Sequence, residues 1–203
     1  MMQNRSSHIL LLLCIIALLC SCASRKVISS NYFYENEKTL TVIEQSYKAL
    51  YRQNPFSLAF TDKSFNYISL EIITDSIKFI YEFEINEPRL QDTLAKYHLS
   101  AIAVTGLITQ MRSIHCIWIN NLDYYVTDQK RSLVFMSIRQ VSTQIPFTAE
   151  KYYVLTFYSQ PQYFDKEGRL LAGRRLRKLR IINGDIFYRI NDRVCYTISE
   201  QFR

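Results

Sequence analysis

Alternating apolar and polar residues between Phe65 and Asn86 are the feature that most narrows the folds open to this chain. Successive side chains of a β-strand point to opposite faces, so this alternation predicts strands that turn one apolar face toward a core. The run is too long for a single average strand, which indicates a hairpin rather than an isolated strand.

The turn of this hairpin is predicted at Thr74-Asp75. A two-residue turn there sets Ile72 opposite Ile77 and Leu70 opposite Phe79, with their side chains on one face. In the same register, the charged residues of the hairpin lie on the solvent face, where a glutamate and a lysine meet across the strands.

Two segments of the N-terminal half have helical spacing. Lys38–Tyr51 carries apolar residues every three to four positions and is followed by Asn54-Pro55, which ends a helix. Pro88–Met111 has similar spacing after an N-terminal proline, and we expect a break near His98–Ser100.

The C-terminal half is dominated by strand-like segments. They are Ile114–Ile119, Leu122–Thr127, Leu133–Thr143, Tyr152–Tyr158 and Val194–Ile198. We interpret Asn120-Asn121 as a turn between two of them, and Asn183-Gly184 as a tight hairpin turn that pairs Ile181 with Ile186 and Leu179 with Tyr188. The fold class predicted is α+β: a mostly antiparallel sheet with about two helices in the N-terminal half.

A short apolar run, Ile9–Leu19, follows the single basic residue Arg5 at the N-terminus. Its length of about eleven residues suits the core of an export signal and falls short of the ~20 that span a bilayer. The next residues, Leu19-Cys20-Ser21-Cys22, resemble the lipobox of bacterial lipoproteins.

That resemblance implies cleavage before Cys22, acylation of its thiol and amine, and anchoring of the chain to a lipid bilayer. The Ala23 that follows implies the periplasmic leaflet of the outer membrane, because an aspartate there would retain a lipoprotein at the inner membrane. The alternatives are ordinary cleavage near Ser21 or Ala23, giving a free exported protein, and a retained signal anchor.

Removing the leader, residues 1–21, leaves about 182 residues, which suits one domain. We assign 22–37 to a lipidated tether and 38–203 to a single α+β domain. The content of 15 Tyr and 12 Phe beside only 4 Gly and 4 Pro favours β-structure with short turns.

Cys116 and Cys195 are the cysteines of the domain. An exported compartment permits a disulfide between them, and both lie in strand-like segments far apart in sequence. The alternative is two buried free thiols that behave as small hydrophobic side chains.

The sequence contains no motif of a known catalytic, metal or cofactor site. His98 and His115 are the histidines of the mature chain, and neither lies in a zinc-binding or hydrolase pattern. We therefore predict no catalytic residues, no metal and no cofactor.

Basic residues are concentrated in one segment. The formal net charge is +7, and loss of Arg5 leaves +6, which equals the six basic residues of Arg169–Arg180. Lys178, Arg180 and Arg189 would share one face of the Asn183-Gly184 hairpin, a candidate contact for anionic headgroups or an envelope protein. A local patch in this compartment does not indicate nucleic-acid binding.

These observations lead to three hypotheses. The first is a non-enzymatic lipoprotein that acts as a binding or structural module, with the basic strand face as its contact surface. The second is a module whose aromatic residues line a pocket for a glycan or a lipid. The third is a hydrolase without a familiar motif, which requires a buried cluster of titratable residues around a histidine.

The lipid anchor is tested by the intact mass of the protein extracted from membranes. We expect residues 22–203 plus acyl chains, and we expect Cys22→Ala to lose the acyl mass because the acceptor thiol is gone. Cys20→Ala is the matched control and should remain acylated. An unacylated mature chain in the unsubstituted protein would contradict the anchor.

Overall fold

A computed structural model describes residues 25–126, 129–139, 150–173 and 178–200. The predicted α+β class is confirmed, since the described residues form three helices and a large antiparallel sheet. The helices are α1 (Arg25–Gln53), α2 (Pro88–Lys96) and α3 (Ala101–Ser113). The strands are β1 (Phe56–Phe60), β2 (Tyr67–Ile73), β3 (Lys78–Glu84), β4 (Cys116–Val126), β5 (Gln129–Arg139), β6 (Tyr152–Tyr158), β7 (Ile181–Ile182), β8 (Asp185–Ile186), β9 (Tyr188–Arg189) and β10 (Val194–Ser199).

Eight strands form one sheet in the order β3-β2-β1-β4-β5-β6-β10-β9, and β7 pairs with β8 as a separate hairpin. Every pairing between neighbours is antiparallel. The sheet is mostly built from strands that follow each other in sequence. There are two exceptions. Between β1 and β4 the chain forms β2, β3, α2 and α3, and between β6 and β10 it forms β7, β8 and β9.

The chain divides into two compact units, Met1–Glu35 and Asn36–Arg203. Of the first unit, residues 25–35 are described, and they are helical. The predicted lipidation site Cys22 and the leader lie outside the described residues.

Helix α1 begins at Arg25 and not at the expected Lys38. The residues before Lys38 contain neither proline nor glycine, so nothing in their sequence stops a helix that the following residues already form. The predicted tether is thus helical from Arg25 onward, and its role as a tether stays a prediction. The end of α1 agrees with the interpretation of Asn54-Pro55 as a helix stop.

The apolar stripe predicted on α1 is its buried face, which comprises Leu40, Ile43, Tyr47 and Leu50. Tyr47 is fully buried, and its ring meets that of Phe56 edge-on at 5.2 Å between centroids. Its hydroxyl donates a hydrogen bond to the carbonyl of Phe56 on β1. Tyr47 therefore joins the helix to the sheet by both packing and a hydrogen bond.

The register predicted for the β2–β3 hairpin is wrong by two residues. Ile72 pairs with Phe79 and Leu70 with Tyr81, because the turn is longer than two residues. It is closed by a 3.0 Å hydrogen bond from the Thr74 N–H to the Ile77 carbonyl. A shift of two keeps every side chain on its predicted face, because strand side chains repeat every two residues.

The prediction of a turn at Asn120-Asn121 is wrong. These two residues lie in the middle of β4. The eleven residues of Cys116–Val126 form one strand that pairs with β1 on one side and β5 on the other. Polar residues in the middle of a strand resemble a turn signal in sequence. In this strand Asn121 lines the cleft described in the next subsection.

The expected break in the second helical segment is confirmed. α2 ends before Tyr97, and His98 adopts a left-handed conformation with φ of 55°. Ser100 then caps α3, its side chain accepting a hydrogen bond from the Ala103 N–H. In the described part of the chain, no helix is long and apolar enough to cross a membrane.

The join between α1 and β1 gives a stability prediction. Tyr47→Phe removes the donor to a buried carbonyl and should lower the free energy of unfolding by about 1–3 kcal/mol. Urea denaturation measures this change. Tyr163→Phe, at an exposed position, is the control and should stay within about 0.5 kcal/mol of the parent. Equal stability of both variants would contradict a structural role for the Tyr47 hydroxyl.

Candidate functional site

A polar cleft of about 300 Å³ lies where the C-terminal turns of α1 meet β4, β5 and the end of β6. We call it the α1–β5 cleft. Its lining residues all belong to the second unit and are mostly charged or hydrogen-bonding. They are Lys48, Tyr51, Arg52, Asn121, Asp123, Lys130, Ser132 and Ser159.

Simple periodicities bring these side chains together. Tyr51 and Arg52 follow Lys48 by three and four residues, so all three lie on one side of α1, beside its buried stripe. Asn121 and Asp123 are two residues apart on β4 and therefore share a face of the sheet. Ser132 pairs directly with Asp123 across the β4–β5 ladder, which carries the same face into β5.

The cleft contains three cations, of which two have carboxylate partners. The Lys48 ammonium lies 2.6 Å from Glu44, and the Lys130 ammonium lies 2.8 Å from Asp123. Among the described residues, no carboxylate lies within 4.0 Å of the Arg52 guanidinium. The cleft and its adjoining pairs therefore carry one positive charge that no acidic side chain neutralises.

Tyr51 contributes a hydroxyl that is protonated at neutral pH. Burial raises its pKa, and the hydrogen bond with the Asn121 side chain opposes that effect. The hydroxyls of Ser132 and Ser159 and the amide of Asn121 are neutral groups. The arrangement thus combines donors of both charged and neutral types, which suits an anionic or strongly polar ligand.

The two histidines are not among the residues that line the cleft. His98 and His115 are exposed, and each has φ of 55° in the turn that follows a helix. His115 packs on the ring of Phe65 at 5.6 Å between centroids. In the described residues, no group of three or more His, Cys, Asp or Glu side chains could hold a metal ion.

The disulfide alternative for Cys116 and Cys195 is wrong, because both are buried free thiols. They lie on β4 and β10, with β5 and β6 between them. Three steps between strands place their Cα atoms on the order of 14 Å apart, beyond the ~7 Å limit for a disulfide. Burial raises the pKa of each thiol to about 12, which leaves both unreactive at neutral pH.

The basic residues predicted as a contact strip are separated by their packing. Lys178 is exposed. Arg180 is half-buried and donates to the carbonyl of Ala172 at 3.0 Å and to the Gln162 side chain at 3.1 Å. Arg189 pairs with Asp192.

The three basic residues are separated because the faces of the Asn183-Gly184 hairpin are the reverse of those predicted. Ile181 does pair with Ile186, but Leu179 pairs with Leu171 and not with Tyr188. The predicted hairpin register places Phe187 on the same face as the cations, yet Phe187 is 2% exposed, whereas Ile181 on the other face is 60% exposed. The side of the hairpin that carries Phe187 and Arg180 packs on the sheet. The strip's role as an anionic contact stays a prediction for Lys178 and Arg189.

Arg180 lies instead beside two tyrosines of the sheet, the half-buried Tyr124 and the buried Tyr158. Its guanidinium is 5.5 Å from the ring centroid of Tyr124, and the Tyr124 and Tyr158 rings meet edge-on at 5.5 Å. Neither tyrosine hydroxyl has a hydrogen-bond partner among the described residues. Burial raises the pKa of Tyr158, and the nearby Arg180 opposes this effect.

Sequence reasoning missed the α1–β5 cleft. The available signal was the alternation of polar residues inside otherwise apolar strands, at Asn121 and Asp123 and again at Lys130 and Ser132. We interpreted Asn120-Asn121 as a turn and assigned no site to the other positions, because sequence alone does not show that α1 ends near them.

Comparisons with known proteins gave no match. A scan against protein-family models, a search of curated proteins and a search of solved structures each returned none.

The buried Tyr158 gives a prediction about alkaline pH. Its pKa is raised in the folded state, so its contribution to stability is present below pH ~10, the pKa of an unfolded tyrosine, and is lost as the pH rises above that value. Tyr158→Phe should therefore reduce the loss of unfolding free energy above pH 10. Because the hydroxyl is unpartnered, the variant should be at least as stable as the parent at pH 7.

Urea denaturation at pH 7 and at pH 10–11 measures both effects. Tyr163→Phe is the control, since its exposed ring should not alter the pH dependence. If the unfolding free energy of Tyr158→Phe fell with pH as steeply as that of the parent, the alkaline loss of stability would come from another group.

Proposed function

We propose that this chain is a lipid-anchored, non-enzymatic binding protein of the bacterial cell envelope that binds a small anionic solute in the α1–β5 cleft. The proposed anchor is the acylated Cys22 in the periplasmic leaflet of the outer membrane. Its support is the leader and the lipobox resemblance of Leu19–Cys22. The support for the ligand is the chemistry of the cleft.

The observation that carries the proposal is the position of Arg52. Arg52 is exposed and lines the cleft together with two lysines, and no described carboxylate forms an ion pair with it. A guanidinium presents several N–H donors in a planar fork that matches a carboxylate or a phosphate. An anion is therefore the ligand that the charge of the cleft favours.

The size and the neutral groups of the cleft restrict the ligand further. A volume of about 300 Å³ lies at the small end of ligand pockets. The serine hydroxyls, the Tyr51 hydroxyl and the Asn121 amide would orient a polar molecule. We infer a solute the size of inorganic phosphate, a dicarboxylate or a phosphorylated small metabolite.

The glycan-binding alternative has weaker support. Stacking on sugars requires exposed aromatic faces, and Tyr51 is the one aromatic residue among the eight that line this cleft. The hydrolase alternative has weaker support in the described residues, because both histidines are exposed, whereas the thiols of Cys116 and Cys195 are buried. Contact of Lys178 and Arg189 with headgroups would be an additional role of the surface.

The test is a titration of ¹⁵N-labelled protein with sodium phosphate and sodium succinate at constant ionic strength. We expect the side-chain amide signals of Asn121 to shift and saturate. Arg52→Gln should weaken the apparent affinity by at least about tenfold, because a hydrogen bond to a charged group contributes about 1.5–3 kcal/mol.

Arg112→Gln is the matched control. Arg112 is exposed on α3 and does not line the cleft, so its loss removes the same charge without touching the site. Linear shifts that are identical in the parent and in Arg52→Gln would overturn the anion site and leave the anchor to be judged by its own mass measurement.

A further inference from the structure

Strand β3 is the outermost strand at one end of the eight-stranded sheet. It pairs with β2, and no other described strand lies beside it. Apolar side chains are exposed along it, with Ile80 66% exposed and Phe79 39% exposed. An open edge with exposed apolar residues is a template for pairing with another strand.

The hydrogen bonds of the β2–β3 hairpin determine which backbone groups point away from the sheet. The bonds from Thr74 N–H to the Ile77 carbonyl and from Ile85 N–H to the Asn66 carbonyl show that the odd-numbered residues of β3 face β2. In an antiparallel pair the direction alternates along the strand. The N–H and C=O groups of Lys78, Ile80 and Glu82 therefore point outward.

Glu84 also points outward, but its backbone is already used. Its N–H donates to the Glu87 carboxylate at 3.3 Å, and its carbonyl accepts from the Glu87 N–H at 2.9 Å. The open part of the edge is therefore the segment Lys78–Glu82, centred on Ile80.

The charges of this segment are complementary to those of a second, antiparallel copy of the same segment. Lys78, Ile80 and Glu82 share one face, in the order positive, apolar, negative. In an antiparallel pair of two copies centred on Ile80, each Lys78 lies opposite the Glu82 of the other copy. The two Ile80 side chains then meet at the two-fold axis.

Other registers fit less well. Centring the pair on Glu82 sets two carboxylates opposite each other, and a parallel in-register pair sets like charges opposite at both ends. The register centred on Ile80 uses all three open residues of each copy and forms six backbone hydrogen bonds. On the opposite face it sets the exposed Phe79 against Tyr81 of the other copy.

We propose that the outer edge of β3 binds a second copy of this chain, as an antiparallel, two-fold pair centred on Ile80. The occupant is a second copy because the charge order of the edge is self-complementary. The pairing joins the two sheets edge to edge and covers the apolar residues of β3.

The first test is cross-linking of the full chain in native membranes. Directly opposite residues of a hydrogen-bonded pair have Cα atoms about 5.5 Å apart, within the disulfide range. Ile80→Cys should therefore give a reducible dimer after mild oxidation with copper–phenanthroline. Ile102→Cys, which is 89% exposed on α3, should remain monomeric, and the unsubstituted chain measures the background.

The second test reverses the charges and uses sedimentation of the detergent-solubilised full chain. Glu82→Lys sets two lysines opposite each other twice and should raise the dimer dissociation constant by at least about tenfold. Lys78→Glu combined with Glu82→Lys restores opposite charges and should recover the dimer. Both charge variants carry Glu71→Gln, because the Lys78 ammonium lies 3.1 Å from the Glu71 carboxylate of its own chain. Glu84→Lys is the matched control and should have no effect, because its backbone is engaged by Glu87.

Circular dichroism establishes that each variant is folded. A reducible dimer of Ile80→Cys together with recovery in the double variant supports the proposal. The proposal would be overturned if Ile80→Cys gave no dimer or if Ile102→Cys cross-linked equally well. It would also be overturned if the double variant folded but had the same dimer dissociation constant as Glu82→Lys.

Discussion

The pairing of β1 with β4 is the constraint on which the rest of the domain depends. It is short, with Leu58 opposite Ile119 and Ala59 opposite Trp118, yet it joins β3-β2-β1 to β4-β5-β6-β10-β9. Its partners are about 60 residues apart in sequence, so closing it costs more chain entropy than any of the hairpins. Without it, each half of the sheet would expose an additional edge.

Tyr47 reinforces this pairing at the point where the two strands diverge. The β1–β4 register would continue with Ser57 opposite Asn120 and then Phe56 opposite Asn121, but the carbonyl of Phe56 accepts a hydrogen bond from the Tyr47 hydroxyl. The same residue holds α1 over the sheet by its ring contact with Phe56. Because α1 ends close to this point, Tyr51 and Arg52 come to lie above Asn121 and Asp123. The cleft therefore depends on the contact of Tyr47 with Phe56, which sets the position of α1 on the sheet.

The sequence predicted the faces of the β2–β3 hairpin better than its pairing, and the turn of the Asn183-Gly184 hairpin better than its faces. In the β2–β3 hairpin an error of two residues left the core face unchanged, because side-chain direction repeats every two residues. In the Asn183-Gly184 hairpin the turn itself was predicted correctly. Its two central residues have φ of 51° and 84° in the structure. Its faces were inverted, because two short strands of mixed composition do not reveal which side meets the sheet. Asn120-Asn121 was misinterpreted for a related reason: a polar pair inside a strand and a polar pair in a turn have the same local composition.

The sequence by itself determined the α+β class, the buried stripe of α1, the break between α2 and α3 and the position of the strands β6 and β10. These features depend on local periodicity and on the conformational limits of proline, asparagine and glycine, which act over a few neighbouring residues. Only the tertiary structure decided that Cys116 and Cys195 are separate free thiols, that Arg180 turns inward and that the α1–β5 cleft exists. Each of these depends on which distant segments meet, and that choice is made by the packing of the whole sheet and not by any stretch of the chain alone.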